Sequence, residues 1–394
     1  MSWWHGIVLV GGVVAALVTV LVHLLLKPYA ARLNLLDHPV GRKDHAHPTP
    51  IVGGIAMLFG VLAASALVQP EQQSNFLAFL LAATLLVVVG LLDDFFDLRW
   101  YWRISAQVLA ALLMIYLGGV RVDHLGVAMG VTAFPLGWMS VPLTVFATVG
   151  LINAINMIDG ADGLAGTLVL VALVLLTAAA VYSGNSMIAA RGEVLIGAVA
   201  AFLWYNLRFP WRPHADVFMG NAGSALLGLV IAWMAFRLTQ SPAHPVSPVF
   251  ALWCVSIPVM DTLVLIWRRM RAGRSPFHAD RNHIHHLMLD AGYGPTQAAV
   301  VLGLFTLACA VGVGQALRMN VPDPLLLGLF GALCVGWLLL TRNRDTAIAF
   351  FRATYPRWLL RRPARCWLEA PGRKAEPLGS ARARTARPLP DVRD

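Results

Sequence analysis

Three aspartates stand within five residues directly after a long apolar run, at Asp93, Asp94 and Asp97. On a helix, Asp93 and Asp97 lie four residues apart and share one face, with Asp94 beside them. Carboxylates grouped in this way can surround a hard cation that also touches phosphate oxygens. A solvated helix end is the alternative, but neighbouring acids repel one another unless a cation is present. The pattern favours a metal or phosphate site, without choosing among enzymes that act on diphosphates.

A second cluster, N-A-I-N-M-I-D-G-A-D-G-L, begins at residue 153 and carries an amide or carboxylate side chain at every third position. The four side chains are those of Asn153, Asn156, Asp159 and Asp162. This spacing groups them on one side of a helical end, and the glycines allow a tight turn or a close approach to a ligand. Asn-Asp-Gly runs are also ordinary turn sequences. An ordinary turn does not need four such side chains between two apolar runs, so the cluster favours a functional site.

Two further clusters could handle anions. The run F-M-G-N-A-G-S at 218–224 opens an apolar segment, and a glycine-rich helix start can bind an anion, although a plain N-cap by Asn221 or Ser224 is the alternative. Three imidazoles in four residues could bind a transition metal, stabilise phosphate or shuttle protons. They belong to His283, His285 and His286, with Arg281 just before them. No cysteine lies near to complete a zinc shell, so an anion-handling site is favoured over zinc or plain surface polarity.

Two acidic positions leave alternatives open. Asp37 begins the basic stretch D-H-P-V-G-R-K-D-H at 37–45, whose cations either hold phosphate or only set the orientation in the membrane. Asp261 lies inside an apolar run, and an acid inside the membrane is a functional candidate by default. A salt bridge that holds two helices together explains Asp261 equally well.

The composition indicates what positions these groups. The chain has 394 residues, of which 58% are hydrophobic and only 13% are charged, far below the share in soluble domains. Apolar runs of membrane-spanning length predict an all-α, polytopic helix bundle with eleven spans. The predicted spans are 6–26, 50–69, 77–92, 105–120, 132–152, 164–183, 187–206, 222–239, 248–267, 298–317 and 324–341.

The charges predict the orientation of this bundle. Of the 30 Lys and Arg residues, all but four fall in the odd-numbered loops or the tail. The four exceptions are Arg121, Arg191, Arg237 and Arg318. Because positive residues collect in the cytosol, the N-terminus is expected outside and the C-terminus inside. The polar clusters then all face the cytosol, whereas a transporter is expected to carry polar groups near the bilayer midplane. We predict a membrane domain at 1–341 and a basic cytoplasmic tail at 342–394, in which 350–367 is either an interfacial helix or disordered.

The motifs together resemble the polyprenyl-phosphate N-acetylhexosamine-1-phosphate transferases, over roughly residues 30 to 300. The resemblance rests on D-D-F-F-D, N-A-I-N-M-I-D-G-A-D-G-L-A-G, F-M-G-N-A-G-S and D-R-N-H-I-H-H-L, in the family's order, and on P-V-M-D before Arg268. It implies transfer of N-acetylglucosamine 1-phosphate from UDP-N-acetylglucosamine to undecaprenyl phosphate, with release of UMP. It also implies Mg²⁺ or Mn²⁺, the bacterial inner membrane, and the first membrane step of a cell-envelope polysaccharide such as O-antigen.

The resemblance also implies residue roles. Catalytic roles are implied for Asp93, Asp94, Asp159, Asp162, His283, His285 and His286. Substrate contacts are implied for Asp37 and Arg281, and metal contacts for Asp93, Asp94 and Asn221. The spacing of the clusters adds Asp97, Asn153 and Asn156 as candidate substrate contacts. Where the family usually writes M-G-D-x-G-S, this chain has Asn221, whose amide oxygen can still bind magnesium, so weaker metal binding is expected rather than inactivity.

Other functions remain open at this point. The donor could be another UDP-N-acetylhexosamine. A membrane prenyltransferase would use D-D-x-x-D with magnesium but should carry a second Asp-rich motif, and a nucleotide-sugar or lipid transporter would need no metal. The protein is expected to lie in a lipid bilayer and to have no nucleic-acid partner, and a homodimer stays open.

Overall fold

The computed structural model describes residues 2–37, 48–67, 73–126, 135–241, 246–276 and 280–355. Within these ranges the chain forms fourteen α-helices and one antiparallel pair of two-residue strands, β1 Leu36–Asp37 and β2 Thr49–Pro50. The helices are α1 Ser2–Leu26, α2 Gly53–Leu67, α3 Gln73–Phe96, α4 Trp100–Tyr116, α5 Ser140–Ile158, α6 Leu164–Tyr182, α7 Ser186–Asn206, α8 Gly220–Thr239, α9 Pro248–Cys254, α10 Ser256–Arg271, α11 Ile284–Asp290, α12 Pro295–Arg318, α13 Asp323–Leu340 and α14 Arg344–Thr354. The predicted all-α class is confirmed.

Eight of the described helices are long and apolar enough to cross a membrane, namely α1, α3, α5, α6, α7, α8, α12 and α13. Every one of the eleven predicted segments overlaps a helix. However, α2 and α4 have 15 and 17 residues. At 1.5 Å per residue they extend for about 22 and 26 Å, less than a hydrocarbon core of about 30 Å. The protein is therefore a polytopic membrane protein, and the count of eleven and the orientation stay predictions.

The ninth predicted segment, 248–267, is wrong as one continuous span. Helices α9 and α10 meet at Val255 with a bend of 82°. Pro258 explains the break, because it has no N–H to donate to the carbonyl of Cys254 and its ring collides with that carbonyl in a straight helix. The break turns α10 away from α9, and the last turn of α10 carries Arg269 into the polar region described below.

Helix α8 forms the centre of the bundle, and nearly all of its side chains are buried. Its first turn lies directly against α2 and α3, because glycines there leave no side chain between the backbones. A Cβ atom on Gly90 would collide with the backbone of Ala222, and one on Gly54 with the backbone of Gly223. Small residues allow this close approach of membrane helices. It brings the end of α3, with its aspartates, to the start of α8.

We expect Gly90→Leu to disrupt this contact. The new side chain would force apart two packed backbones, and overpacking of this kind costs about 1–3 kcal/mol or more. Gly328→Leu is the matched control, because nothing lies within 4 Å of a Cβ at that position on α13. We expect the melting temperature of purified protein to fall clearly for Gly90→Leu only. Equal behaviour of the two variants would contradict the backbone contact.

The predicted tail begins with an ordered helix. Ala347 and Phe351 of α14 are buried, and the Phe351 ring packs against Tyr293 and Trp337 at centroid distances of 6.5 and 6.1 Å. The Tyr355 hydroxyl donates to Gln297 Oε1 at 3.0 Å. Residues 344–355 therefore pack onto the membrane domain, next to α11. Most of the predicted interfacial segment lies outside the described residues, and the boundary at 341 stays a prediction.

We expect Phe351→Ala to destabilise the protein by about 3–5 kcal/mol, the usual cost of truncating a buried aromatic side chain. Its neighbour Phe350 is 46% exposed and provides the control. Thermal melts of Phe351→Ala and Phe350→Ala in one detergent test this. A melting temperature that falls by the same amount in both variants would show that α14 does not pack as described.

Candidate active site

Asp93 and Asp94 occupy the last full turn of α3 and have different partners. Asp93 is buried, and its Oδ2 accepts from Arg103 Nη1 of α4 at 3.3 Å. Its Oδ1 is also buried and has no hydrogen-bond partner. Asp94 instead accepts the backbone N–H of Asn221 at 3.0 Å and that of Ala222 at 3.5 Å. A carboxylate at these N–H groups is stabilised by the partial positive charge of the α8 N-terminus.

The start of α8 is shaped by Gly220, which has a positive φ of 69°. A side chain there would be strained, and its Cβ would meet the Asp94 carboxylate. The next residue, Asn221, accepts from Asn156 Nδ2 at 3.1 Å, and Asn156 also donates to Ser224 at 2.8 Å. The polar motifs from α3, α5 and α8 therefore meet in a single hydrogen-bonded layer.

The same layer continues to α4. Asn153, one turn before Asn156, donates to Gln107 Oε1 at 2.7 Å and to the carbonyl of Val149 at 2.8 Å. Asn153 and Asn156 thus lie on one side of α5, as the spacing predicted. Their amide groups face the helices that carry Asp93 and Asn221. The predicted grouping does not extend to Asp159 and Asp162, because the helix ends at Ile158 and Asp162 lines a different cavity, described below.

The segment 280–286, which carries the three histidines and which we call the histidine loop, is bonded to α10. His283 Nδ1 lies 2.9 Å from Asp261 Oδ2, and Arg269 Nη2 lies 3.4 Å from His283 Nε2. Arg269 is buried and also bonds Asp280 Oδ2 at 3.0 Å and the carbonyl of Pro276 at 2.8 Å. Burial opposes ionisation of Asp280, but the hydrogen bonds from Arg269 and from the Asn282 N–H lower its pKa. Asp280 therefore stays ionised beside the arginine.

His285 and His286 begin α11. His285 is fully buried, and neither of its ring nitrogens has a hydrogen-bond partner. Its ring packs against Gly160 in the loop that joins α5 to α6. Burial, with the nearby charges of His286, His283 and Arg281, lowers its pKa well below the usual value. His285 is therefore neutral and joins the two loops by packing. The His286 ring lies 4.1 Å from that of His285 and reaches the cavity described next.

These groups line a cavity of about 310 Å³ at the meeting point of the helices. Its polar lining consists of Asp93, Arg103, Gln107, Asn153, Asn156, Asn221, Arg269, Asp280, His283 and His286. Asp93, Asn153, Asn156 and Asn221 bring carboxylate and amide groups from α3, α5 and α8. The guanidinium and imidazole groups come from α4, α10 and the residues around α11, together with the Gln107 amide and the Asp280 carboxylate. We call this space the main cavity. It can accept phosphate groups together with a cation that neutralises them.

A second cavity of about 250 Å³ contains Asp162 and Arg208, which form an ion pair. Lys27, His214 and Asp216 complete its polar lining. We call it the side cavity. Thr49 and Pro50 of β2 also line the side cavity.

Asp159 directly follows α5 and lies near two other acids, Asp94 and Asp162. Burial raises its pKa to about 7, and the nearby charges of Asp162 and Asp94 add to this effect. Near neutral pH the carboxyl is therefore partly protonated, unless a cation or a hydrogen-bond donor from a ligand approaches it. A buried acid with a pKa perturbed in this way, beside two other acids, is typical of a functional site.

Six predicted site residues lie outside the lining of these cavities: Asp94, Asp159 and His285, described above, and the predicted substrate contacts Asp37, Asp97 and Arg281. Helix α3 ends at Phe96, and Asp97 follows it with a left-handed φ of 49° and an exposed side chain. Asp37 is in β1, paired with Thr49 of the side cavity. Arg281 Nη2 lies 3.9 Å from Asp290 Oδ1. Positions 38–47 and 277–279 of the predicted clusters lie outside the described residues.

The three aspartates of the first cluster do not form a ready-made metal site, and the metal contacts predicted for Asp93, Asp94 and Asn221 stay predictions. The helix ends before Asp97, and no group of three His, Cys, Asp or Glu side chains in the described ranges could hold a metal. Mg²⁺ often takes only one or two protein ligands and completes its shell with substrate phosphates and water. The unpartnered Oδ1 of Asp93 and the amide oxygen of Asn221 belong to residues lining the main cavity, and both are hard oxygen donors that fit such an ion. Asp94 already has backbone partners, so its metal role stays a prediction.

Several residues of the site were not among the predicted ones. They are Arg103, Gln107, Arg269 and Asp280 in the main cavity and Lys27, Arg208, His214 and Asp216 in the side cavity. The arginines were counted only as cytoplasmic charge. Arg269 and Asp280 had a signal, because each stands close to a motif that had been recognised, but only the fold shows that they meet.

Comparison with known proteins defines the class. Residues 76–239 match the profile of glycosyl transferase family 4. Three bacterial relatives share the name undecaprenyl-phosphate alpha-N-acetylglucosaminyl 1-phosphate transferase. The protein from Yersinia pestis is 39% identical over 303 residues, 76% of this chain and 82% of the relative. That from Haemophilus influenzae is 38% identical over 299 residues, 75% of this chain and 84% of the relative.

The third relative, from Escherichia coli K12, is 36% identical over 302 residues, 76% of this chain and 82% of the relative. Identity of this level over most of both chains shows common descent. The chain belongs to glycosyl transferase family 4 and is a transferase of the phosphoglycosyl type. The family predicted from the motifs is confirmed.

Proposed function

We propose that this protein transfers N-acetylglucosamine 1-phosphate from UDP-N-acetylglucosamine to undecaprenyl phosphate and releases UMP. The names of the relatives support undecaprenyl phosphate as the acceptor and N-acetylglucosamine 1-phosphate as the transferred group. The observation that carries the proposal is the main cavity, where oxygen donors from Asp93 and Asn221 face Arg103, Arg269 and histidines at the end of apolar helices. This arrangement suits a reaction between two anions, one of which has a long apolar tail in the membrane.

The reaction is a substitution at phosphorus. An oxygen of the lipid phosphate forms a bond to the phosphorus next to the sugar, the bond from that phosphorus to the bridging oxygen breaks, and UMP leaves with the bridging oxygen. Two negatively charged groups must approach each other, so the site has to neutralise charge and hold both partners in line. Arg103 and Arg269, buried or half-buried at the cavity, provide fixed positive charge for this purpose.

Magnesium, or manganese, is part of the proposal. Asp93 and Asn221 would hold it, and the ion would offset the charge of the diphosphate during transfer. Asp93, buried beside Arg103, would also orient the lipid phosphate. Asn156 fixes the Asn221 amide through its hydrogen bond. Asp162 lines the side cavity, and it and the nearby Asp159 are proposed to contact the nucleotide half of the donor.

The bacterial inner membrane is the proposed location, because the acceptor named for the relatives is a membrane lipid and this chain has eight helices able to cross a bilayer in its described part. The product would be a lipid-linked diphosphate sugar on which a cell-envelope polysaccharide such as O-antigen is built. Membership of the transferase family favours this function over a transporter or a prenyltransferase.

Metal removal tests the proposal. Purified protein in detergent receives UDP-N-acetylglucosamine and undecaprenyl phosphate, and UMP is measured with magnesium and with EDTA. We expect UMP release to fall by more than about 100-fold in EDTA, since a metal that offsets phosphate charge supplies several kcal/mol, and to return when magnesium is added in excess. Equal rates of UMP release with magnesium and with EDTA would refute the proposed role of the metal ion. Release from a different UDP-N-acetylhexosamine alone would change the donor but keep the reaction, and silence with every donor would refute the function.

A further inference from the structure

Asp261 is a buried acid that the proposed reaction does not use. It lies in α10 with no exposed surface and does not line the main cavity. Its oxygens accept from three groups: His283 Nδ1 at 2.9 Å, the Ile284 N–H at 3.1 Å and Trp337 Nε1 at 3.2 Å. One carboxylate thus joins α10, the histidine loop and α13.

The partners of His283 fix its protonation pattern. An arginine guanidinium can only donate, so His283 Nε2 accepts from Arg269. The hydrogen of the neutral ring must then sit on Nδ1, where it points at Asp261. Because the ring reaches the main cavity, the acid behind it determines which nitrogen and which edge of the ring face a ligand.

We propose that Asp261 is a positioning residue, which holds His283 in one ring orientation and one tautomer toward the main cavity. The proposal rests on the proposed function for its assay. All three groups that face Asp261 are donors, so only a side chain with two acceptor oxygens satisfies them. An asparagine would place its NH₂ group against one of these donors and leave it unpaired, or allow the His283 ring to turn.

Trp337 supports the same carboxylate from the far side. Its indole N–H bonds Asp261 Oδ1, while its ring is buried against Phe351. Trp253 of α9 offers a matched control. It is equally buried, and its indole N–H donates to the carbonyl of Leu326 at 3.2 Å, away from His283.

A double-mutant cycle separates positioning from a purely structural role. UMP release is measured for the wild type, Asp261→Asn, His283→Ala and the double variant, with melting temperatures for each. We expect Asp261→Asn to lower kcat about 10- to 100-fold, as for outer residues that orient a functional histidine, with KM changed less than about threefold. In the His283→Ala background we expect less than about a twofold further loss, because the ring to be positioned is gone.

Equal losses in both backgrounds would overturn the proposal, and so would a His283→Ala variant that keeps more than about half of the wild-type kcat. If His283→Ala has no measurable rate, Asp261→Glu replaces the cycle, since it keeps two acceptor oxygens. We then expect Asp261→Glu to retain at least about tenfold more activity than Asp261→Asn; equal rates would refute the proposal.

If Asp261→Asn does not fold, the kcat of Trp337→Phe is compared with that of Trp253→Phe as the test of the proposal. We expect Trp337→Phe to lower kcat about three- to tenfold, consistent with the loss of one buried hydrogen bond, and Trp253→Phe to leave kcat within about twofold. Equal kcat values for the two variants would overturn the proposal. Absence of UMP release from the wild type would instead count against the proposed function, so the two failures are distinguishable.

Discussion

Asp93→Asn is expected to lower kcat for UMP release by at least about 100-fold, within the range that a positioned acid or base contributes. Asparagine has nearly the same shape, so the packing around α3 should persist. What changes is the charge at a buried carboxylate with one oxygen on Arg103 and the other without a hydrogen-bond partner. The variant therefore loses both the proposed metal oxygen and the group that balances Arg103.

The control for this variant is Asp345→Asn, which removes an exposed carboxylate at the start of α14. We expect it to keep kcat within about twofold, as is usual for surface substitutions away from a site. A loss of less than about tenfold in Asp93→Asn would exclude the assignment of Asp93 to the reaction, whatever the control shows.

Arg269→Ala is expected to have an effect of similar size. Arg269 is buried, and its guanidinium holds Asp280, the carbonyl of Pro276 and His283 in place. Its removal leaves the Asp280 carboxylate without its cation, and breaking a buried ion pair costs about 3–5 kcal/mol. We expect kcat/KM to fall by more than about 100-fold, because the histidine loop and the positive wall of the main cavity are lost together.

Arg271→Ala provides a control from the same helix turn, since Arg271 is exposed. Steady-state kinetics of both variants, with melting temperatures, separate the site from the general charge of the loop. If Arg271→Ala lost as much activity as Arg269→Ala, the basic loop would act through its total charge, and the specific contacts of Arg269 would not matter. The kcat/KM of Arg269→Lys should also stay low, because an ammonium group cannot form the several directed hydrogen bonds of a guanidinium.

Much of the architecture follows from the sequence because hydropathy and charge act locally. Apolar runs predicted the helices, and the placement of the polar clusters on one side predicted that they meet. The spacing of Asn153 and Asn156 correctly placed both side chains on one face of α5. The break at Val255 was missed, since 248–267 is mostly apolar over the length of a span, and its interruption depends on one proline in a crowded bundle.

The partners within the site could not be read from sequence spacing. Asp94 bonds backbone N–H groups more than 120 residues away in the chain, at Asn221 and Ala222. That contact exists because Gly90 lets α3 touch α8. Asp97 was grouped with Asp93 on the assumption of a longer helix. Asp261 was left open between a functional acid and a structural salt bridge, and the fold now connects it to His283.

The most direct test of the central claim follows the phosphate next to the sugar. UDP-N-acetylglucosamine carrying ³²P at the β position is incubated with the protein and undecaprenyl phosphate, and the lipid phase is extracted. Transfer of sugar 1-phosphate predicts that the label enters the lipid phase while unlabelled UMP appears in water in equal amount. Label that stays in water as UDP, with unlabelled sugar on the lipid, would contradict the proposed bond cleavage and with it the role assigned to the main cavity.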